Sequence, residues 1–202
     1  MGLEMKRLCV YCGASLGAAP LYAQGACDLA RELVDRGIAL VYGGGSVGLM
    51  GVIADEVMRL GGEVTGVIPQ ALVEKEVGHH GLTHLHVVGN MHERKAMMMS
   101  LADGFIAMPG GFGTLEELFE VLTWSQLGLH HKPIGLLNIS GFFDGLLAFT
   151  SHQVASGLLR PAYAALLMHA AEPVKLLQQF ADFDAQGIEK KLSQASASTL
   201  LR

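Results

Sequence analysis

The string PGGFGTLEE at residues 109–117 combines a glycine-rich turn with two adjacent acidic residues. Thr114 is a typical helix N-cap residue, and Glu117 three positions later completes the pattern of a capping box. In one interpretation, Glu117 therefore only closes the start of a helix. In the other, its carboxylate lies in the first helical turn beside a crevice built by the glycines, where it can stabilise a developing positive charge.

A second string, MHERK at residues 91–95, precedes the first by one predicted strand. It opens a helix, so Arg94 and Lys95 are expected near the same edge of the fold as Glu117. A guanidinium at that edge can bind a phosphate through two parallel hydrogen bonds. The two strings together predict a site for a phosphorylated ligand.

Two further small-residue loops, at residues 13–15 and 43–48, also follow apolar runs and precede helix-period segments. With residues 110–113 they make three loops at the carboxyl ends of strands, where ligands bind in parallel α/β sheets. Backbone N–H groups and helix N-termini there would face an anion, with no side chain in the way. In the alternative interpretation, the glycines only make tight turns between strands and helices.

Short apolar runs alternate with helix-period segments along most of the chain. Strands are predicted at residues 7–11, 38–42, 64–68, 83–88, 105–108, 133–137 and 166–168, and helices at 20–36, 49–60, 91–101, 114–127, 142–155 and 173–180. This pattern predicts an α/β fold, a Rossmann-like doubly wound parallel sheet with helices on both faces. Residues 1–185 are expected to form a single domain, followed by a frayed tail at 186–202. The segment 70–82 has no clean period and is predicted to be a functional loop.

The chain of 202 residues is half hydrophobic, only 16% charged, and carries a formal charge of −5. These values argue against a broad nucleic-acid-binding surface and against a disordered chain. The low share of charged residues suggests a surface that contacts another subunit. The N-terminal apolar run is too short for a secretion signal or a membrane span, so we expect a cytoplasmic protein without membrane attachment.

The glycine loop at residues 43–48 also matches two other motifs. It has the spacing of a dinucleotide-binding fingerprint, but residues 69–70, at the far end of the next strand, supply no acidic side chain for the ribose. Ser46 lies in the Gly-x-Ser-x-Gly pattern of esterases, with Asp144 and His169 downstream in the required order. No HGGG-type oxyanion motif accompanies it.

Neither the cysteines nor the histidines favour redox or metal chemistry. Cys9 and Cys12 match a dithiol motif, but Cys9 falls inside a predicted strand, which favours buried free thiols. The densest group of histidines has no spacing typical of a zinc site and is expected at the solvent or at an interface; it comprises His79, His80, His84, His86 and His92. We therefore expect neither a metal nor a cofactor.

Together with CVYCGAS and VYGGGSVGLMG upstream, the strings MHERK and PGGFGTLEE closely resemble the LOG ("lonely guy") family of cytokinin-activating phosphoribohydrolases. Members of this family were often mislabelled lysine decarboxylases. The resemblance runs from Arg7 to Phe180 and shows no departure within either motif. It implies hydrolysis of the N-glycosidic bond of a purine nucleoside 5′-monophosphate, preferably an N6-modified AMP. The products would be the free base and ribose 5-phosphate.

The resemblance also implies roles for individual residues. Arg94 and Glu117 would be the catalytic pair. Substrate contacts would come from Glu76, Arg94, Lys95, Gly110, Gly111, Phe112, Gly113, Thr114, Leu115, Glu116 and Thr123, with Ser15 and Gly45 near the ligand. Family members are homodimers or larger homo-oligomers whose sites lie at a subunit interface.

The chemical step itself stays open at the level of the sequence. Cleavage of a ribosyl C–N bond builds oxocarbenium character on the sugar. Glu117 could stabilise this positive charge as a carboxylate, form a covalent ester with the sugar, or activate a water molecule. Arg94 is a poor general acid, because the pKa of arginine exceeds about 12. A noncatalytic nucleotide or cofactor carrier of the same fold is the alternative function.

Overall fold

Seven short strands form one parallel sheet, which orders the carboxyl ends of the strands along one edge. The structure, a computed structural model, describes residues 5–73, 78–185 and 187. The strands, in the spatial order β4-β3-β2-β1-β5-β6-β7, are β1 Arg7–Tyr11, β2 Ala39–Tyr42, β3 Val64–Pro69, β4 His84–Val88, β5 Gly104–Ala107, β6 Ile134–Leu137 and β7 Leu167–Ala170. The order reverses at β1, whose neighbours are β2 and β5.

Helices follow the strands on both faces of this sheet. They are α1 Leu21–Asp35, α2 Gly48–Arg59, α3 Gln70–Val73, α4 Met91–Leu101, α5 Phe112–Gln126, α6 Asp144–Ala155, α7 Pro161–Ala164 and α8 Pro173–Ala181. A short 3₁₀ turn, Ile139–Gly141, precedes α6. The α/β, doubly wound prediction is confirmed. Sequence periodicity missed α3, α7 and the 3₁₀ turn because each is shorter than the window in which a period can be recognised.

The core consists of two apolar clusters, one on each face of the sheet. Leu8 and Val10 of β1 pack in the cluster that α1, α2 and α8 cover. Cys9 and Tyr11 pack in the other cluster, beneath α4 and α5. This alternation explains why the strands are apolar throughout rather than at every second residue.

The cysteine pair is divided between these clusters. Cys9 belongs to the α4/α5 side and Cys12 to the α1/α2 side, and both are buried free thiols. Burial raises the pKa of each thiol well above its usual value. The prediction of buried free thiols is therefore confirmed, and the dithiol redox motif is only a coincidence of spacing.

The start of α5 differs from the sequence prediction. The helix begins at Phe112 with Gly111 as its N-cap, two residues before the predicted start. Thr114 is a buried residue of the first turn rather than the cap, and Glu117 lies in the second turn. The capping-box prediction for these two residues is thus wrong. The glycine loop enters the helix earlier because Gly111 adopts the extended backbone of an N-cap and its carbonyl accepts the Leu115 N–H at 3.2 Å.

Helix α4 begins with a variant of the capping box. The Asn90 side chain accepts the Glu93 N–H at 3.0 Å, while the Glu93 carboxylate accepts the Gly89 N–H at 2.8 Å. This arrangement satisfies backbone donors that a helix start otherwise leaves unpaired. It fixes the first turn of the helix that supplies Arg94 and Lys95.

We expect Asn90→Ala to lower the free energy of unfolding by about 1 kcal/mol, since it removes this cap. Urea denaturation of both proteins measures the difference. Ser100→Ala, at the other end of α4, is the matched control and should stay within about 0.5 kcal/mol of the wild type. Equal stability of the Asn90 variant and the wild type would contradict the capping role.

The aperiodic segment at residues 70–82 begins with one helical turn, α3, and at Gly78 it contacts the loop after β2. Gly78 pairs with Gly45 in an isolated antiparallel bridge, and the next residue, His79, donates its N–H to the Gly44 carbonyl at 2.9 Å. The end of this segment therefore lies on the glycine loop after β2. Glu76 lies outside the described residues, as does the predicted tail apart from Gly187.

No helix within residues 5–73, 78–185 and 187 has both the length and the apolar character needed to cross a membrane.

Candidate active site

Three loops meet at the carboxyl edge of the sheet and are joined by backbone hydrogen bonds. The Gly13 N–H donates to the Pro109 carbonyl at 3.1 Å, and the Gly13 carbonyl accepts the Leu49 N–H at 3.0 Å. These bonds link the loop after β1 to the loops before α5 and α2. The loops at residues 13–15 and 110–113 share the lining of the cavities at this edge, whereas residues 43–48 pack against them without lining these cavities.

Two of the glycines are required by this close packing. A Cβ on Gly48, whose φ is +62°, would collide with the backbone of residues 14–15. A Cβ on Gly110 would lie 2.9 Å from the Gly13 nitrogen and would collide with the Thr114 hydroxyl. The glycines thus let three chain segments approach more closely than any side chain permits.

A cavity of about 240 Å³ lies between these loops and helices α2 and α4. The N-terminus of α5 opens onto it, so backbone N–H groups that lack intrahelical acceptors face the space. The cavity is lined by Cys12, Gly13, Ala14, Met50, Arg94, Gly111, Gly113, Thr114 and Glu117. An anion placed there would meet the positive end of the α5 dipole.

Arg94 is anchored in this cavity by main-chain carbonyl groups. Its Nε donates to the Val67 carbonyl at 3.1 Å and its Nη2 donates to the Gly43 carbonyl at 3.2 Å. Its Nη1 lies 3.6 Å from the Glu117 carboxylate, and the arginine side chain is only 11% exposed. Nη1 and the second N–H of Nη2 remain available as donors, so the use of Arg94 as a two-pronged phosphate clamp stays a prediction.

Glu117 faces Arg94 across the cavity with a side chain that is 12% exposed. Burial is the main influence on the carboxyl group and raises its pKa to about 7, against the opposing effect of the Arg94 charge. The neighbouring carboxylates Glu116 and Glu120 raise the pKa further, and Lys95 lowers it. A carboxyl group that titrates near neutral pH in a cavity is typical of a catalytic acid or base.

This raised pKa predicts that Glu117 makes the protein less stable as the pH rises. Between the ordinary pKa of 4.5 and the folded-state pKa of about 7, the unfolded chain loses the proton first, so stability falls with increasing pH. We expect Glu117→Gln, which keeps the neutral form, to be more stable than the wild type by about 1–3 kcal/mol at pH 8. The difference should shrink steadily as the pH is lowered toward 4.5.

Urea denaturation at pH 5 and pH 8 measures this difference. Glu172→Gln serves as the control, because Glu172 forms only an exposed pair with Lys175. The control should show a small difference from the wild type that changes little with pH. A Glu117 variant that is less stable than the wild type at pH 8 would contradict the burial effect.

Lys95 links α4 to α5 through ion pairs. Its Nζ lies 2.5 Å from the Glu116 carboxylate and 2.9 Å from the Glu120 carboxylate, and the hydrogen bond with Glu116 is the largest of the effects that raise the lysine pKa. The two acidic partners stand four residues apart on α5, so they share one helix face. Lys95 does not line the 240 Å³ cavity; it balances the negative charge next to it.

Ser15 and Gly45, which were predicted near the ligand, lie outside the cavity that holds Arg94 and Glu117. Ser15 lines an adjoining cavity of about 450 Å³, together with Leu16, Tyr22 and Phe142. The two cavities share lining residues of the first and third glycine loops, so they adjoin one another. Gly45 is buried and held by its bridge to Gly78.

The α5 residues that follow the loop divide between core, cavity and surface. Phe112 is 93% exposed, whereas Leu115 packs at the border of the α4/α5 core cluster. Thr123 lies six residues beyond Glu117, about 9 Å farther along the helix. It lines a separate groove with Phe119 and Tyr163. Within one chain, Thr123 is therefore not brought to the cavity that holds Arg94 and Glu117.

Sequence reasoning missed three residues that shape the site. Gly43 and Val67 supply the carbonyl groups that hold Arg94, and Met50 of α2 lines the cavity beside it. The only signal for Gly43 was its place at the head of a triple glycine. Nothing in the sequence marks a valine carbonyl as a ligand of a distant arginine.

The alternative motifs are not assembled in the fold. Ser46 follows β2 and His169 lies in β7, four strand positions away, which corresponds to roughly 19 Å. Asp144 instead accepts a hydrogen bond from the Asn138 side chain at 2.8 Å. The esterase motif is thus a coincidence of spacing. Within the described part of the chain, no three histidine, cysteine or acidic side chains are grouped so that they could hold a metal ion.

The fold and the cavity together define a class of protein: a Rossmann-like α/β protein with an anion-suited crevice that contains a buried arginine–glutamate pair. A family profile described as "possible lysine decarboxylase" matches residues 50–180. The chain is 46% identical to cytokinin riboside 5′-monophosphate phosphoribohydrolase LOG7 from Arabidopsis thaliana, over 91% of this chain and 84% of that protein.

Other plant relatives show the same similarity. The chain is 47% identical to LOG5 from Arabidopsis thaliana, over 87% of this chain and 77% of that protein. It is 46% identical to LOG from Oryza sativa, over 89% of this chain and 74% of that protein. The chain belongs to the LOG family of cytokinin riboside 5′-monophosphate phosphoribohydrolases.

Solved structures confirm the fold at lower sequence identity. The molybdenum cofactor carrier protein from Chlamydomonas reinhardtii superposes with a TM-score of 0.66 at 19% identity, covering 89% of this chain and 100% of that one. The molybdenum cofactor binding protein from Rippkaea orientalis gives a TM-score of 0.64 at 21% identity, covering 88% and 98%. At these identities the similarity concerns the fold alone.

Proposed function

We propose that this protein hydrolyses the N-glycosidic bond of adenosine 5′-monophosphates, preferably N6-modified ones, and releases the free base and ribose 5-phosphate. The observation that carries the proposal is the buried Arg94–Glu117 pair, 3.6 Å apart, in a cavity at the N-terminus of α5. The phosphoribohydrolase names of relatives at 46–47% identity support it. In this proposal the protein is an N-glycosidase.

The α5 N-terminus is the proposed phosphate site. Gly111, Gly113 and Thr114 line the cavity there, and a helix start offers several N–H donors in addition to its positive dipole end. The first two of these are glycines with no atom within 4 Å of an added Cβ, so the phosphate can approach the backbone closely. This site explains how a protein with a formal charge of −5 binds an anionic nucleotide.

Glu117 then lies one helical turn beyond the phosphate site, where the anomeric carbon of the ribose would stand. Its ionised form stabilises the positive charge that develops on the sugar as the bond to the base breaks. The same position suits attack on that carbon or activation of a water molecule. All three roles require the carboxylate form, and a pKa of about 7 leaves much of the group ionised at neutral pH.

Arg94 acts in this proposal as a fixed positive charge rather than as a proton donor. Its two carbonyl bonds hold the guanidinium while Nη1 faces Glu117. The charge favours the ionised carboxylate and can polarise the departing base or orient the sugar phosphate. Lys95, paired with two carboxylates of α5, is proposed to keep the helix in place and to contact substrate only if these pairs open.

A homodimer or larger homo-oligomer completes the proposed site. Apolar side chains stand exposed around the α5–α6 region, among them Leu158 at 85% and Leu129 at 65%. Thr123 lines a groove in this region, away from the cavity of its own chain. We propose that a second copy covers this surface and that Thr123 serves the neighbouring site. Sedimentation velocity tests the assembly, and a monomer at micromolar concentration would refute it.

The proposed compartment is the cytoplasm. Three cysteines are free in the structure, two of them buried, which is usual for proteins kept in a reducing environment. Fractionation of the native host with an antibody against this protein tests the location.

Product chromatography tests the proposed activity. Purified protein is incubated separately with AMP, with N6-isopentenyl-AMP and with lysine. We expect adenine and the N6-substituted base to appear with an equal amount of ribose 5-phosphate, and lysine to stay unchanged. Tight nucleotide binding without any release of base would favour the noncatalytic carrier; one solved structure with this fold is named a molybdenum cofactor carrier protein.

A further inference from the structure

Gly43 lies against the guanidinium of Arg94. It follows β2 directly, and its carbonyl accepts the Arg94 Nη2 at 3.2 Å. A Cβ added to Gly43 would occupy the space of Nη2 itself and would lie 3.1 Å from the Arg94 Cζ. The residue thus contributes both a hydrogen-bond acceptor and the room for the group that it binds.

The need for glycine at this position is one of space and not of backbone conformation. The φ angle of the neighbouring Gly44 is +72°, in the left-handed region that favours glycine, whereas Gly43 lies outside that region. An alanine at position 43 would therefore not carry the strain of a left-handed backbone. The atoms nearest to its methyl group would be those of the Arg94 guanidinium, followed by the Met50 sulfur at 3.5 Å.

A second main-chain carbonyl holds the other side of the guanidinium. Its Nε is held by the Val67 carbonyl of β3, the strand next to β2. β2 and β3 pair up to Tyr42 and Gly66, and Gly43 and Val67 are the next residues of the two segments, so the sheet sets the separation of their carbonyls. A methyl group at position 43 can only be accommodated if the guanidinium leaves, which breaks the bond to Gly43 and moves Nη1 relative to Glu117.

We propose that Gly43 is a positioning residue for the hydrolysis: it leaves open the space in which Arg94 is held opposite Glu117. The activity part of this inference rests on the proposed function. The structural part, that a side chain at position 43 competes with Arg94 for one space, does not.

A double-mutant cycle tests the inference with two readouts, the rate of base release from AMP and the Tm. We expect Gly43→Ala to reduce the rate by about 100-fold, because displacement of a catalytic group by about 1 Å has effects of this size. The same variant should lower the Tm by about 3 °C or more. Gly145→Ala is the matched control, since a Cβ there meets no atom within 4 Å, and it should change neither readout appreciably.

The decisive comparison is made in the Arg94→Ala background, where the competing side chain is absent. There, the further change Gly43→Ala should alter the residual rate by less than about 2-fold and should no longer lower the Tm. A Tm loss of the same size in both backgrounds would overturn the proposal, because the methyl group would then be colliding with something other than Arg94. Retention of at least half of the wild-type rate by Gly43→Ala would also overturn it.

The design separates this inference from the proposed function. If Gly43→Ala fails to fold, the double variant should fold, and failure of both would overturn the proposal. If the wild-type protein releases no base from any nucleotide, the proposed function fails, but the four Tm values still decide whether Gly43 and Arg94 compete for one space.

Discussion

Glu117→Gln is expected to reduce the release of adenine from AMP by about 1,000-fold. Glutamine keeps the size of the side chain and its place 3.6 Å from Arg94, but it cannot carry the negative charge that the oxocarbenium-like transition state requires. Chromatography of the released base over time gives the two rates. The variant is also expected to be more stable than the wild type at pH 8, so a loss of activity cannot be attributed to unfolding.

The pH dependence of the wild type provides an independent check. Because the carboxylate form is needed and the pKa of Glu117 is raised to about 7, kcat/KM should increase as the pH rises toward that value and then level off. Glu172→Gln, at an exposed ion pair, should show wild-type rates throughout. A Glu117 variant that retains a tenth or more of the wild-type rate would exclude this carboxylate as the catalytic group.

Gly110→Ala is expected to have the second-largest effect, through the phosphate loop. The new methyl group would stand 2.9 Å from the Gly13 nitrogen and against the buried Thr114 side chain. Backbone atoms cannot rotate away from a new methyl group in the way that the end of a flexible side chain can. We therefore expect the free energy of unfolding to fall by about 1–3 kcal/mol. Displacement of the α5 N-terminus should also reduce the rate on AMP by about 100-fold.

The adjacent residue offers the matched control for stability. A Cβ on Gly111 has no neighbour within 4 Å, so Gly111→Ala should keep the free energy of unfolding within about 0.5 kcal/mol of the wild type. Urea denaturation of the two variants compares them directly. Equal stability of the two alanine variants would show that the contact between the loops at residues 13 and 110 contributes nothing to the fold.

Most of the fold could be predicted because its signals are local. β1 and α4 have their predicted limits, and the other predicted strands and helices begin and end within three residues of the predicted positions. Apolar runs bounded by glycine identify buried strands, and the spacing of apolar residues identifies long helices. The start of α5 was misplaced because its N-cap depends on the path of the glycine loop, which contacts the β1 loop far away in the sequence.

The candidate site was only partly predictable. The sequence indicated Arg94 and Glu117 through the motifs that carry them, and the fold places both on one cavity. It did not indicate that main-chain carbonyls hold Arg94 or that Lys95 pairs with Glu116 and Glu120. Thr123, grouped with the other substrate contacts by family resemblance, lies in a different groove of the same chain.

The alternation of strands and helices, the parallel sheet and the motif residues at its carboxyl edge could all be predicted from the amino-acid sequence. These features depend on periodicity and turn residues within short windows, which are readable without knowing what lies nearby. The folded structure was needed to show that Arg94 bonds to the carbonyls of Gly43 and Val67, that Gly43 leaves room for it, and that burial raises the pKa of Glu117. Those properties depend on distances and solvent exclusion between segments far apart in the chain, which only the packed fold determines.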